Sequence, residues 1–181
     1  MKFKTQDISY TTQVPTGVAG DVSRIGESNL ESIFLTTNGG FPTAFGLGLQ
    51  YDGSGNGQLP ATGTAATAFA GVVCREVPEI SNSNADDSSL GTGTPLTTQV
   101  QPLLVRGYCV VVCAAGSPVR GGTVYWQVTS HNGVLPGQFR ADGTDSGNAV
   151  ALTATQAEWA STGVGIDGNG NTNIAELRVA R

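Results

Sequence analysis

Apolar residues fall in short runs, each closed by turn-forming residues. "SIFLTT" (32–37) ends at "NGG", where an Asn-Gly pair favours a tight turn. "FAGVVCREV" (69–77) follows the small-residue stretch "ATGTAATA" and stops at Pro78. "LLVRGYCVVV" (103–112) ends near "AAGSP", and "GGTVYWQVTS" (121–130) runs into "HNG". In "NIAELRVA" (173–180), Ala175, Leu177 and Val179 alternate with Glu176 and Arg178, the period-2 pattern of a half-buried strand with one wet face. No window sustains an i, i+3, i+4 repeat. The best helix candidate is "TATQAEWAS" (153–161), opened by Thr153 or Thr155 as a cap. The pattern therefore predicts an all-β chain of short strands, a sandwich or small barrel.

Three regions resist a place in that core. In the N-terminal stretch through about residue 28, "VPTGVAGDVSR" (14–24) combines helix-breaking Gly and Pro with almost nothing to bury. "YDGSGNGQLPATGTAA" (51–66) reads as a long excursion between strands. "EISNSNADDSSLGTGTP" (79–95) is polar and glycine-rich. We divide the chain into an extended N-terminal arm, 1–28, and a body, 29–181. Surface loops account for the other two regions, and loops of this length in a compact domain are often contact elements.

Composition sharpens the picture. With 181 residues the chain suffices for one domain with a proper core. Its 26 glycines are roughly double the usual share of about 7%. Only 13% of residues are charged, so the polar surface is built from Thr, Ser, Asn and Gln. A net charge of −5 with nine scattered basic residues argues against nucleic acid or an anionic membrane as partner. No apolar run is long enough to span a bilayer. "MKFKTQDISY" has no apolar region behind its lysines, so synthesis in a cytoplasm is expected. Three cysteines fit a reducing compartment. On one strand Cys109 and Cys113 would lie about 13 Å apart, too far to bridge, and read as small buried hydrophobes.

Candidate chemistry is thin. His131 is the only histidine; a triad with Asp142 or Asp145 and a serine is conceivable, but "SHNGVLPG" reads as a turn and no GxSxG elbow accompanies it. One His and three dispersed Cys offer no zinc spacing. "DGSGNG" (52–57) resembles the start of a calcium loop, but Gly63 stands where the bidentate Glu belongs; "DGNGNT" (167–172) fits less well. Both read as turns. "GVAGDVSR" lacks the Lys-Ser/Thr pair of a phosphate loop. No catalytic residue, cofactor or metal is assigned.

Taken in order, "GVAGDVSR", "FAGVVCREV", "LLVRGYCVVVCAAGSPVRGGTVYWQV", "LPGQFRADGTD" and "AEWASTGVGIDGNGNTNIAELRV" resemble the structural cement, or decoration, proteins of tailed-phage heads. The resemblance is strongest from residue 69 onward. It implies a β-barrel or jelly-roll-like body with an extended N-terminal arm, bound to major capsid protein on the outside of an assembled shell. It also implies a symmetric homo-oligomer, a trimer first and a dimer second, without cofactor or turnover. The arm residues Val14, Pro15, Gly17, Val18, Gly20, Asp21, Val22 and Arg24 are the expected partner contacts. Exposed backbone there suits addition to a neighbour's sheet edge, and Arg24 suits a bidentate carboxylate. The alternatives are a tail or fibre component, which internal repeats would favour and none is seen, and a carbohydrate-binding β module. The latter would stack sugars on Tyr125, Trp126 and Trp159, although Trp126 lies in an alternating strand and fits a core better.

Overall fold

A computed structural model describes residues 18–36, 40–75, 94–95, 100–166 and 172–181. Its strands are β1 (Asn29–Ile33), β2 (Gly48–Tyr51), β3 (Gly57–Gln58), β4 (Phe69–Val73), β5 (Gln101–Ala115), β6 (Tyr125–Gln127), β7 (Phe139–Arg140), β8 (Ala149–Ala151), β9 (Ala157–Trp159), β10 (Val164–Ile166) and β11 (Thr172–Ala180). Two single 3₁₀ turns, Ile25–Glu27 and Ala66–Ala68, complete the regular structure. The chain is all-β, as the hydrophobic pattern predicts. The sheet runs β3-β2-β4-β5-β7-β6-β8, with β1 and β11 also on β5 and with β9 and β10 on β11. Its ends β3 and β8 do not pair, so it is not closed into a barrel.

β5 is the spine. Leu103 and Leu104 pair with β1 on one edge and with β4 on the other. Cys109 pairs with Leu177 of β11 and, across the strand, with Val22. The strand is not straight. The Cys74 amide donates to the Pro102 carbonyl, yet the Cys74 sulfur lies 3.5 Å from that of Cys109. In a straight strand Pro102 and Cys109 would be about 23 Å apart, beyond the reach of one cysteine. The irregular stretch runs from Val105, which the pairing with β1 skips, to Gly107, whose φ of +128° favours glycine. There the side-chain parity also flips, since Leu104 and Cys109 face the same core although five residues apart.

The sheet buries apolar groups on both faces. The larger core gathers Phe69, Val72, Leu104, Cys109, Val111, Trp126, Phe139, Trp159 and the alternating Ala175, Leu177 and Val179. The smaller holds Ile33, Leu35, Leu47, Leu49, Leu59, Ala70, Val73, Leu103 and Val105. Two-sided burial explains why β4 reads as a continuous apolar run. Phe69 meets Trp126 edge-on with ring centroids 5.3 Å apart, and Phe139 at 6.1 Å. Such pairs contribute roughly 0.5–1.5 kcal/mol beyond area burial. Gly48 makes room for them: a Cβ there would come within 2.6 Å of the Trp126 Nε1, which donates to the Gly48 carbonyl.

Two expectations are corrected. Residues 153–161 form no helix. The Thr153 amide is capped by the Gln156 side chain and the Gln156 amide returns to the Thr153 carbonyl, but this turn leads into β9. Ala157 and Trp159 alternate into the core opposite Val179 and Leu177, and this period-2 burial overrides a single turn of helix. The 51–66 stretch is not excluded from the core either: Gly57 pairs with β2 and Leu59 is buried among the smaller cluster. Of 79–95, only 94–95 lie among the described residues.

Candidate functional site

Of the arm residues, Val14, Pro15 and Gly17 lie outside the described residues. Val18, Gly20, Asp21, Val22 and Arg24 are all placed against the chain's own body. The Val18 amide donates to Asp21 Oδ2 (2.8 Å) and the Asp21 amide to the Val18 carbonyl (2.9 Å), a tight turn passing through Gly20 at φ +94°. The Gly20 amide donates to the Val110 carbonyl (2.8 Å), the Val110 amide to the Asp21 carbonyl (2.9 Å), and the Ser23 amide to the Tyr108 carbonyl (3.0 Å). On its other side the Gly20 carbonyl accepts from the Arg75 amide (2.9 Å). These main-chain groups are therefore engaged within the chain rather than held free for a neighbour.

Arg24 makes the bidentate pair its residue type suggests, and its partner is Glu176 of β11. Nη2 meets Oε2 at 2.8 Å and Nε donates to Oε1 at 3.2 Å, while Ser23 Oγ donates to the same carboxylate at 2.6 Å. The guanidinium stacks on Tyr108, 3.8 Å from the ring centre. The Glu176 hydrogen bond raises the Arg24 pKa further, against a smaller opposing effect of burial. The signal for this partner is present in the sequence, as Glu176 lies on the wet face of "NIAELRVA". The link across more than 150 residues is not.

Next to this pair, Glu27, Ser28, Arg106, Tyr108, Arg178 and Arg181 line a groove of about 700 Å³. Arg178 is paired with Glu158, and Arg181 stacks on Tyr51 and donates to the Ala70 carbonyl. Arg106 is exposed and, among the described residues, has no ion-pair partner. Gly107 lets the 3₁₀ turn settle on β5, since a Cβ there would meet Ser28 Oγ at 2.5 Å and its Cα at 2.7 Å. On β1, Ile33 faces the core while Leu30 faces outward, 43% exposed, next in the chain to Asn29 of the groove's lining; Phe34, just past the strand, is 58% exposed.

The structure brings His131 and Asp145 together, with Nδ1 2.6 Å from Oδ1. A carboxylate orienting a histidine is half of a triad, yet among the described residues no Ser or Cys side chain hydrogen-bonds to His131. The arrangement is a closed polar network. Buried Arg140 pairs with Asp145 and with Asp142, and Gln127 and Asn148 donate to Asp145 at 3.0 and 2.9 Å. Burial opposes ionisation of Asp145, but the Gln127 and Asn148 hydrogen bonds and the nearby His131 and Arg140 hold its carboxyl below the ordinary range. The "DGSGNG" turn is as the sequence reads: Asp52 accepts the Ser54 and Asn56 amides, each at 2.8 Å, and the Asn56 hydrogen bonds lower its pKa. Most of 167–172 lies outside the described residues. Sugar stacking on the tryptophans is excluded, because Trp126 and Trp159 are buried in the larger core.

Comparison with known proteins yields no match among curated proteins. A solved structure, the capsid of Myoviridae phage XM1, aligns over 98% of this chain and 97% of its own at 18% identity and a TM-score of 0.61, a likeness of fold. At the level of sequence, residues 6–180 match the structural cement protein family (E217 gp24/Pam3 gp6). A match across nearly the whole length, on an all-β body whose polar clusters are structural, places the chain in that family: it belongs to the structural cement proteins.

Proposed function

We propose that the protein binds the outer surface of an assembled phage head and bridges neighbouring copies of the major capsid protein. The observation that carries this reading is the family match over residues 6–180. Family membership supports a structural role in the capsid and a virion location. The mechanism is linkage: a ligand of the assembled shell that does not bind its dissociated subunits stabilises the shell by mass action. Several copies acting as one oligomer, a trimer before a dimer, make each further contact intramolecular and raise avidity by roughly 10²–10⁴.

Within this reading the arm, residues 1–28, supplies the capsid contacts through Val14 to Arg24. Residues 18–24 are seated on β5, which leaves the chain before Val18 to reach a neighbour. The seated part contributes side chains from a fixed platform, and the outward Leu30 and Phe34 extend the contact. Removing residues 1–17 tests this. Co-sedimentation with emptied heads should fall at least tenfold while the cooperative melt is unchanged. Undiminished co-pelleting by the shortened chain overturns the arm assignment, and no pelleting of the full chain overturns the capsid reading itself.

A further inference from the structure

Cys74 and Cys109 form a contact that neither the sequence nor the structural role anticipates. Their sulfurs are 3.5 Å apart and both residues are wholly buried. Cys74 follows β4 and Cys109 lies in the second half of β5, so the curl of β5 between Pro102 and Cys109 is what brings them together. The residues that follow them, Arg75 and Val110, are the two that grip Gly20 from either side, one bonding its carbonyl and the other its amide. The thiols therefore sit at the root of the clamp that seats the N-terminal segment. Cys113, by contrast, donates to the Ala115 carbonyl and, among the described residues, has no sulfur partner.

We propose that Cys74 and Cys109 are a disulfide-forming pair whose oxidation fastens the clamp around Gly20. The sulfurs need to approach by about 1.5 Å to reach bonding distance. The step is thiol–disulfide exchange with a small external disulfide. One thiol loses its proton and attacks the reagent, forming a mixed disulfide and releasing one reagent thiolate. The second cysteine, deprotonated in turn, attacks the protein sulfur, forming the Cys74–Cys109 bond and expelling the other half. The cysteines are oxidised by two electrons, the reagent is reduced to two thiols, and these take up both protons. The Cys74 hydrogen bond, together with burial, pushes the Cys109 thiol well up, so the reaction in the folded protein is slow.

The test uses the full chain and oxidised glutathione. After prolonged incubation of the native protein, denaturation and alkylation should find a single free cysteine, Cys113, and peptide mapping should find Cys74 joined to Cys109. The oxidised protein should melt about 5–10 °C higher, and exchange of the Gly20 amide should slow. Reduction should reverse both changes. C113A should behave identically, and C74A should show neither the cross-link nor the shift. Three free cysteines after an incubation that fully oxidises the unfolded chain, glutathione retained as an adduct without a cross-link, or a different pairing would each overturn the proposal. A cross-linked protein with unchanged Gly20 exchange would overturn the clamp.

Discussion

Two of the protein's arginine–carboxylate sites share their chemistry but sit in opposite settings. Arg140 and Asp145 are both buried and bond each other, with further partners in Gln127, His131, Asp142, Thr144 and Asn148. Arg24 and Glu176 meet nearer the surface, where the Arg24 side chain is 42% and the Glu176 side chain 13% exposed. A buried pair contributes little over apolar residues while intact but leaves an uncompensated charge when one partner is removed. An exposed pair is weak in either case. The first site therefore fixes the β6–β8 end of the fold, and the second only trims the position of a segment already held by main-chain bonds.

The largest expected effect is at the buried site. Arg140→Met should lower unfolding free energy by about 3–5 kcal/mol, measured by urea denaturation. The same site gives a pH dependence. Because the folded carboxyl of Asp145 lies below its unfolded value, its stabilisation is complete above the unfolded value and is lost as pH falls through the folded one. Thermal melts should thus fall more steeply below about pH 5 in the parent than in D145N. Parallel slopes would assign the acid sensitivity elsewhere. Gly107→Ala comes next, at about 1–3 kcal/mol. It forces Ser28 off β5, and hydrogen exchange should speed at the Gly20 and Ser23 amides. The smallest change is at the exposed pair: Arg24→Ala should cost under about 1 kcal/mol and leave Gly20 exchange nearly unaltered. A loss at Arg24 rivalling that at Arg140 would abolish the distinction between the two sites.

Alternation and turn punctuation are local, and they carry most of what the sequence reveals of the fold. β4, β5 and β11 lie within the runs expected for them or extend them by a few residues, because their apolar period is strong. The two- and three-residue strands β3, β7, β8 and β9 are too short to show a period and are defined by the strands that pair with them. Trp159 shows the limit in one residue, reading as part of a helical turn until its partner Leu177 is known. The family was legible from the ordered set of strand-turn pieces. The site was legible in part: Arg24 and the glycines were singled out, but their partners Glu176, Tyr108 and Val110 are distant in sequence. Cys74 facing Cys109 depends on the curl of β5 across Val105 to Gly107, which no local pattern specifies.

That Tyr108 and Val110, which flank Cys109 on β5, bond the N-terminal segment while the same stretch pairs with β11 has a mechanical meaning. The segment lies antiparallel along β5, so tension on the chain ahead of it loads several hydrogen bonds in shear rather than peeling them singly. The load enters the middle of the sheet and passes straight to the last strand. Force applied to the segment is thus carried by the interior of the sheet, far from any edge that frays.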